Sequence, residues 1–265
     1  MVRRPPDPGR PRVLIGSAVT VDEDPDSPAG QPVAPDTVGL LEGLCTTRAI
    51  RRYRPEPVPD QVLRDILFAA TRAPSGSNRQ PFRFIVLTDG PKAVAAKHLI
   101  GEAARHAWRA KRADDGYDQG SGARADSPKA AMARTMDHYV EHLDDVPVLI
   151  LPCMIRHRAP FPGEGASVYP ACQNLLLAAR ALGYGGVMTI WNAFVDAELH
   201  ELLSIPDDVF VAATITLGRP AGHHGPVRRR PLAELVFFDE WNAPAPFAVD
   251  PPGTRHTAAG PPSRL

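Results

Sequence analysis

Two short segments carry the side chains best suited to holding a ligand, and the first of them is rich in arginine. The stretch TTRAIRRY places Arg48, Arg51 and Arg52 within a few positions of one another. Guanidinium groups offer paired donors in a planar fork and keep their charge at any working pH, so they are preferred partners of phosphate. This segment is therefore a candidate anion site, although a solvated or salt-bridged cluster would show the same pattern.

The second segment, APSGSNRQP, combines small and amide side chains between two prolines. Pro74, Ser75 and Gly76 predict a turn whose backbone can come close to a ligand. Asn78 and Gln80 can each donate and accept hydrogen bonds, which suits the edge of a heterocycle or a chain of hydroxyl groups. We interpret this segment as a second candidate ligand-binding loop.

One helix and one strand are predicted to hold these two loops in place. The run DQVLRDILFAATRA begins with Asp60 and repeats apolar residues at helical spacing. It should end at Ala73, because Pro74 disfavours helical dihedral angles in the preceding residue. After Pro81, FRFIVLTD is typical of a buried strand. The loops should therefore lie at the two ends of one amphipathic helix.

Length and composition predict a soluble protein that forms either one large domain or two small ones. The chain has 265 residues, and its apolar content of 43% is enough for a sizeable core. Thirty basic residues balance thirty acidic ones, which argues against nucleic acid or an anionic membrane as a partner, and no apolar run is long enough for a membrane span. We expect an irregular arm over residues 1–35, a folded region over residues 36–242 whose first helix is capped by Asp36, and a Pro-rich tail over residues 243–265.

The remaining chemistry-bearing residues narrow the type of reaction. Cys45, Cys153 and Cys172 are odd in number and far apart, so we expect buried, reduced thiols in a cytoplasmic protein. His223 and His224 have no Cys or carboxylate at ligand spacing, so no metal site is expected. The sequence contains neither a GxGxxG dinucleotide fingerprint nor a GxSxG nucleophile motif. What these absences leave is chemistry in which a bound cofactor supplies the reactive atom.

The two loops and the elements between them also carry a family resemblance. TRAIRRYRPEPVP, the following helix and APSGSNRQPFRFIVL resemble the N-terminal half of the nitroreductase family, flavoproteins with FMN bound at a homodimer interface. ALGYGG, LLSIPDD and TLGRP extend the resemblance through the second half. The chain departs from the family pattern at Ala49, where many members have Ser, and at Phe82, where Trp is usual. The resemblance implies an α+β, nitroreductase-like fold in one domain over residues 36–242, with a central mixed, largely antiparallel sheet flanked by helices.

The resemblance further implies where FMN would bind. Arg48 and Arg51 would neutralise its phosphate together with Arg229 or Arg230. Residues 188–189 lie where family members place the segment that faces the flavin ring, and part of the second loop would reach FMN in the neighbouring subunit. No catalytic side chain is assigned. The implied cofactor contacts are Arg48, Ala49, Arg51, Pro74, Ser75, Gly76, Asn78, Gln80, Met188, Thr189, Arg229 and Arg230.

The activity that the resemblance implies is the reduction of electron-poor small molecules. NADH or NADPH would pass a hydride to N5 of FMN and leave, and a nitroaromatic, a quinone or a similar acceptor would bind in the same space, giving ping-pong kinetics. Two alternatives keep the flavin: an FMN-binding or FMN-storing protein without turnover, and a flavin oxidase or dehydrogenase that acts on a biosynthetic intermediate. In a further alternative the arginines form a structural network and no flavin binds.

In the resembling family, the middle of the chain covers the mouth of the active site. We predict a helix from Pro91 to about Asp114. Whether residues 100–143 form a lid over the substrate is left open. The side chains expected on the inward side of the helix include Val94, His98, Leu99 and Ala103. Four aromatic or soft side chains could line the mouth, although core packing is preferred for them: Trp108, Tyr117, Met136 and Tyr139.

Overall fold

The described chain is built around one sheet, in which every described pairing is antiparallel. In this computed structural model residues 38–257 are described, so the predicted arm, the cap at Asp36 and the end of the tail lie outside the described residues. The strands are β1 (Phe82–Leu87), β2 (Val148–Ile155), β3 (Gly185–Thr189), β4 (Val209–Val211) and β5 (Thr214–Gly218). The sheet has the order β1-β2-β5-β3, and β4 also pairs with β2.

Helices cover both faces of the sheet, which confirms the predicted α+β fold. They are α1 (Leu40–Thr46), α2 (Asp60–Ala70), α3 (Pro91–Asp114), α4 (Pro128–Glu141), α5 (Tyr169–Ala181) and α6 (Asp196–Leu203). Strand β2 contributes to the cores on both faces of the sheet, because successive side chains of a strand point to opposite faces. Ile150 and Met154 join the core that includes α2 and α5, whereas Leu149 and Leu151 join the core that includes α3, α4 and α6. None of the helices in residues 38–257 is long and apolar enough to cross a membrane.

A β-bulge divides the last predicted strand, DVFVAATITLG, into β4 and β5. Cys153 pairs with Val211 and Ile150 pairs with Ile215, so one extra residue lies on the β4–β5 side of this interval. Pro152 lies opposite the break and has no N–H to donate. Its carbonyl instead accepts a hydrogen bond from Ala212 N at 2.8 Å. The proline thus explains why an apolar run without turn residues does not form one regular strand.

Helix α3 has the predicted bounds, but the prediction of its inward side was partly wrong. Val94 and His98 are exposed, and Leu99 and Ala103 are half-buried. Lys97 is buried instead, and its ammonium group donates to the carbonyls of Thr88, Val146 and Pro147. The remaining buried residues of α3 are Ala93, Ala96, Ile100, Gly101, Ala104 and Trp108.

The four aromatic or soft side chains that could have lined the mouth of the active site pack in or against the core instead. Trp108 and Tyr139 are 5% and 1% exposed and lie within the core on the α3 and α4 side. The indole N–H of Trp108 donates to Asp137 at 2.7 Å, which links α3 to α4. Tyr117 and Met136 are half-buried and pack against the same core. These four residues therefore stabilise the α3–α4 layer.

Candidate functional site

The arginine-rich segment is fixed against the edge of the sheet, where its two predicted phosphate ligands have different surroundings. Ile50 N donates to Gly186 O at 3.0 Å, which places the segment beside β3. The Arg48 side chain is exposed, and its Nη2 donates to Pro226 O at 2.6 Å. Arg51 is half-buried, and its Nε is shielded from solvent without a hydrogen-bond partner. Because a buried donor without a partner is costly, Arg51 is the arginine here that most needs an acceptor.

A cluster of hydroxyl groups holds the backbone of this segment. Tyr53 OH donates to Ile50 O at 2.6 Å and lies 2.8 Å from Thr216 Oγ1. The Tyr139 hydroxyl contacts the same threonine oxygen at 2.7 Å. Burial raises the pKa of both tyrosines, and the nearby charge of Arg51 offsets only part of that increase. Both phenols are therefore neutral hydrogen-bonding groups at physiological pH.

The second predicted loop has an unusual backbone. A short 3₁₀ turn spans Gly76–Asn78, and Ser77, Asn78 and Gln80 all have left-handed φ values of 52°, 51° and 49°. This region is sterically unfavourable for residues other than glycine, and such strain clusters at ligand-binding sites. The Ser75 hydroxyl accepts a hydrogen bond from Gln80 N at 2.9 Å, which closes the loop on itself.

The side chains of this loop point outward and are available to a ligand. Ser75 is half-buried, whereas Gly76, Asn78 and Gln80 are exposed. Gln80 Nε2 donates to Asn78 Oδ1 at 3.2 Å. No hydrogen bond joins this loop to residues 46–53 within the described part of the chain. The two candidate loops are therefore separate surfaces of one subunit.

The end of β3 is the third part of the predicted site. Gly186 lies so close to β5 that a Cβ atom added to it would be 2.4 Å from Thr216 O, so glycine is needed for the close approach of the two backbones. Further along β3, Met188 is 41% exposed. Thr189 Oγ1 donates to Thr214 O at 3.4 Å, which ties the end of β3 to β5. The strand therefore presents Met188 on a rigid edge.

The C-terminal arginines lie on a segment that returns to the first loop. Val227 N donates to Cys45 O at 3.0 Å, and Arg48 contacts Pro226 as described above. Arg229 and Arg230 are exposed. Arg230 Nε pairs with Glu234 at 2.7 Å, which is an exposed contact that a stronger anion can displace. The structure thus brings the C-terminal segment to the first loop, with Arg230 in a surface ion pair.

Sequence analysis missed several residues that support the site. Tyr53, Tyr139 and Thr216 hold the first loop, and Ser167 accepts a hydrogen bond from Gly76 N at 3.2 Å. Tyr53 directly follows the arginines in the sequence, so its position could have indicated a role in holding this segment. The others are brought in from distant parts of the chain, and no local pattern in the sequence marks them.

The cysteine prediction was right for two residues and wrong for the third. Cys153 and Cys172 are buried, and burial raises the pKa of each thiol to about 12. Cys45 is exposed, because α1 is a short helix whose outer face is solvated. Within residues 38–257, no group of three or more His, Cys, Asp or Glu side chains is arranged to hold a metal ion.

Known proteins share this fold and sequence pattern. The profile of the nitroreductase family matches residues 45–219. A protein described as NADH dehydrogenase, from Thermus thermophilus, is 30% identical over 209 residues, which cover 72% of this chain and 91% of that protein. A solved structure described as a nitroreductase in complex with FMN, from Desulfovibrio desulfuricans, has 29% identity and a TM-score of 0.55, and covers 76% of this chain and 96% of that one.

A more distant structure shares the fold alone. It is described as an NADPH:FMN oxidoreductase from Vibrio harveyi complexed with NAD+, with 20% identity and a TM-score of 0.55, covering 76% of this chain and 77% of that chain. The fold and the sequence match together define a flavin oxidoreductase of the NAD(P)H-dependent class. The chain belongs to the nitroreductase family.

Proposed function

We propose that this protein binds FMN and uses NADH or NADPH to reduce nitroaromatics, quinones or similar electron-poor small molecules by a ping-pong mechanism. The observation that carries this proposal is the buried Arg51 Nε without a partner, on a segment fixed to the β3 edge. A phosphate oxygen would satisfy that donor and the charge together. The FMN complex of the 29% identical Desulfovibrio protein supports the choice of cofactor.

The residues present fit the different parts of FMN. Arg51, assisted by Arg48 and by Arg229 or Arg230, would hold the phosphate. The outward amides of Asn78 and Gln80 would bind the ribityl chain or the edge of the ring, and residues 188–189 would face the ring. Bound FMN supplies a ring that takes a hydride from the nicotinamide and gives it to the acceptor. The chain itself positions these partners, and we assign no catalytic side chain.

A homodimer is part of the proposal, because the two loops are separate in one subunit. Several large apolar side chains are exposed in the described part of the chain, and contiguous patches of such side chains usually mark an interface. They include Leu41 on α1 at 77% exposure and Phe194 beyond β3 at 64%. Trp241, after the C-terminal arginines, is 83% exposed. A second copy would cover such side chains and bring the second loop of one subunit to the FMN held by the other.

The visible spectrum of the purified protein tests the cofactor and the chemistry together. We expect a yellow dimer in the cytoplasmic fraction that bleaches anaerobically on addition of NADPH or NADH and regains colour with a quinone. Steady-state rates measured at several concentrations of both substrates should give parallel double-reciprocal lines. A colourless protein that gains no flavin absorbance with added FMN would support a purely structural role for the arginines.

Two further results would favour the flavin-retaining alternatives. A yellow protein that is never reduced by NADH or NADPH and turns over no acceptor would be an FMN-binding or FMN-storing protein. A flavin that is reduced by a biosynthetic intermediate and reoxidised by oxygen, but not reduced by nicotinamide, would indicate an oxidase or dehydrogenase.

A further inference from the structure

A basic cleft lies at the C-terminal end of α5, apart from the loop of residues 74–80. Its volume is about 370 Å³, within the range of about 300–1,000 Å³ typical of small-molecule pockets. Its described lining includes no Asp or Glu. The charged and titratable residues that line it come from three parts of the chain, and they are Arg54, Arg180, Arg219, His223 and His224.

Several arginines of this protein pair with carboxylates, whereas the described arginines of this cleft do not. Arg105, Arg112 and Arg156 each form ion pairs with one or two carboxylates. Arg54, Arg180 and Arg219 form no such pair within the described part of the chain. Three arginines that line one space without a counter-charge repel one another, so an anion bound among them would be stabilised.

Of these arginines, Arg219 is held in place by Tyr184, and Arg180 has a buried donor without a partner. The Arg219 guanidinium lies 4.8 Å from the centre of the Tyr184 ring, and its Nη2 donates to the Tyr184 hydroxyl at 3.3 Å. Arg180 Nε is buried without a hydrogen-bond partner, and its Nη2 makes only a 3.5 Å contact with the Thr46 hydroxyl. A buried, unsatisfied donor beside a fixed guanidinium indicates a site that awaits an acceptor.

His224 is a neutral hydrogen-bonding group in the wall of this cleft. His224 Nε2 lies 3.1 Å from Tyr184 O, and its Nδ1 accepts a hydrogen bond from Arg48 N at 3.3 Å. This pairing requires a neutral ring that carries its proton on Nε2. Burial lowers the pKa of His224, and the nearby Arg180 and Arg48 lower it further, which agrees with the neutral form. The positive charge of the cleft therefore comes from its arginines, while exposed His223 is free to add a donor.

We infer that this cleft binds a diphosphate group, at a position distinct from the one proposed for the FMN phosphate. Several guanidinium groups on different sides of the cleft match an extended polyanion better than a single carboxylate. Arg51, the proposed FMN ligand, does not line the cleft; its charge instead acts on Tyr53 and Tyr139. The diphosphate could be a free inorganic ion or part of a dinucleotide.

Binding to the protein as purified, saturated with FMN, tests this inference. Inorganic pyrophosphate and ADP-ribose should be titrated separately by isothermal calorimetry. We expect one site per chain and weaker binding at high salt, since exposed charge interactions are screened. Tighter binding of ADP-ribose than of pyrophosphate would assign the site to a dinucleotide, and the reverse order would assign it to the free ion.

Matched substitutions separate this site from general surface charge. Arg54→Gln removes an exposed arginine for which the structure shows no side-chain partner, so the fold should tolerate it, and we expect binding to weaken at least about tenfold. Arg219→Gln should weaken it similarly but also loses the contact with Tyr184. Arg109→Gln changes an exposed arginine on α3, outside the cleft, and should leave binding unchanged.

Three results would overturn the inference. One is the absence of binding by the FMN-saturated protein at millimolar pyrophosphate. Another is equal weakening by Arg54→Gln and Arg109→Gln, which would indicate nonspecific attraction. The third is binding only after FMN has been removed, which would place pyrophosphate where the flavin phosphate binds.

Discussion

The backbone N–H of Gly76 donates a hydrogen bond to the hydroxyl of Ser167 at 3.2 Å, across 91 residues of sequence. This contact joins the strained loop to the short 3₁₀ turn that precedes α5. The loop is otherwise held mainly by its own bonds, such as that between Gln80 N and the Ser75 hydroxyl. Ser167 therefore positions a loop that we propose to contact FMN.

Replacing this hydroxyl should loosen the loop without unfolding the protein. For Ser167→Ala we expect FMN to bind about 3- to 10-fold more weakly, which corresponds to one neutral hydrogen bond. Fluorescence titration of FMN-depleted protein measures the change. Ser121→Ala, on an exposed turn remote from the loop, is the control. An unchanged FMN affinity in Ser167→Ala would show that the contact does not position the loop.

Arg51 and Arg52 are neighbours with different surroundings, which makes them a matched pair. Arg51 has the buried, unpartnered Nε, whereas Arg52 is exposed. Loss of a charge-assisted hydrogen bond in Arg51→Gln should weaken FMN binding about 10- to 100-fold, and Arg52→Gln should change it by less than about threefold. The same titration measures both. Equal effects would reduce the role of Arg51 to one positive charge among several.

Gly186 is predicted to be the least replaceable glycine of the sheet. A Cβ atom there would lie 2.4 Å from the backbone oxygen of Thr216, and backbone in a paired strand cannot move aside cheaply. We expect Gly186→Ala to lower the free energy of unfolding by about 1–3 kcal/mol or more, as overpacking does. Gly90→Ala, where the added atom meets nothing within 4 Å, should be nearly neutral. Urea unfolding of both variants checks this, and similar midpoints would contradict it.

The three thiols should differ in reactivity and in their effect on stability. At pH 8 Ellman's reagent should modify only exposed Cys45 in the native protein, and Cys153 and Cys172 only after unfolding. Because burial raises the pKa of Cys172 to about 12, the fold favours its neutral thiol. Its contribution to stability is complete below the unfolded pKa of about 8.5 and is lost as the pH rises from there towards 12.

A pH series of urea unfolding experiments measures this loss. The midpoint of the wild-type protein should fall between pH 8 and pH 10, and it should fall less in Cys172→Ala, which has no thiol to ionise at that position. Rapid modification of all three thiols in the native protein, or an equal fall in the variant, would contradict the assignment of Cys172 as a buried neutral group.

The buried side of a helix could be predicted well where apolar and charged residues alternate clearly in the sequence, and less well where they do not. The sequence of helix α2 repeats apolar residues at helical spacing among charged ones, and its buried side includes Leu63 and Ile66. Helix α3 is rich in alanine, so its periodicity identified the inward side only in part, with Leu99 and Ala103 half-buried and Val94 and His98 exposed. Lys97 also breaks the rule that charged residues face water, because three backbone carbonyls receive its ammonium group.

The two candidate loops could be predicted from the sequence as loops, whereas the contacts that hold them in place could not. Glycine, proline and amide side chains mark the second loop directly, because they act through local backbone geometry. The partner of Arg48 is Pro226, which depends on how the C-terminal segment returns to the first loop. Contacts of that kind are set by tertiary packing, so neither the pairing of Arg48 nor the ion pair of Arg230 could be deduced from residue types.

The left-handed backbone at Ser77, Asn78 and Gln80 limits how this protein can be altered by evolution or by engineering. At such φ values most L-amino acids carry a steric cost of about 1–2 kcal/mol, and β-branched residues carry more. Glycine, asparagine and aspartate are the replacements that the backbone accepts most readily. Libraries aimed at new acceptors should therefore leave these three positions almost constant and vary Arg79, whose φ value is negative.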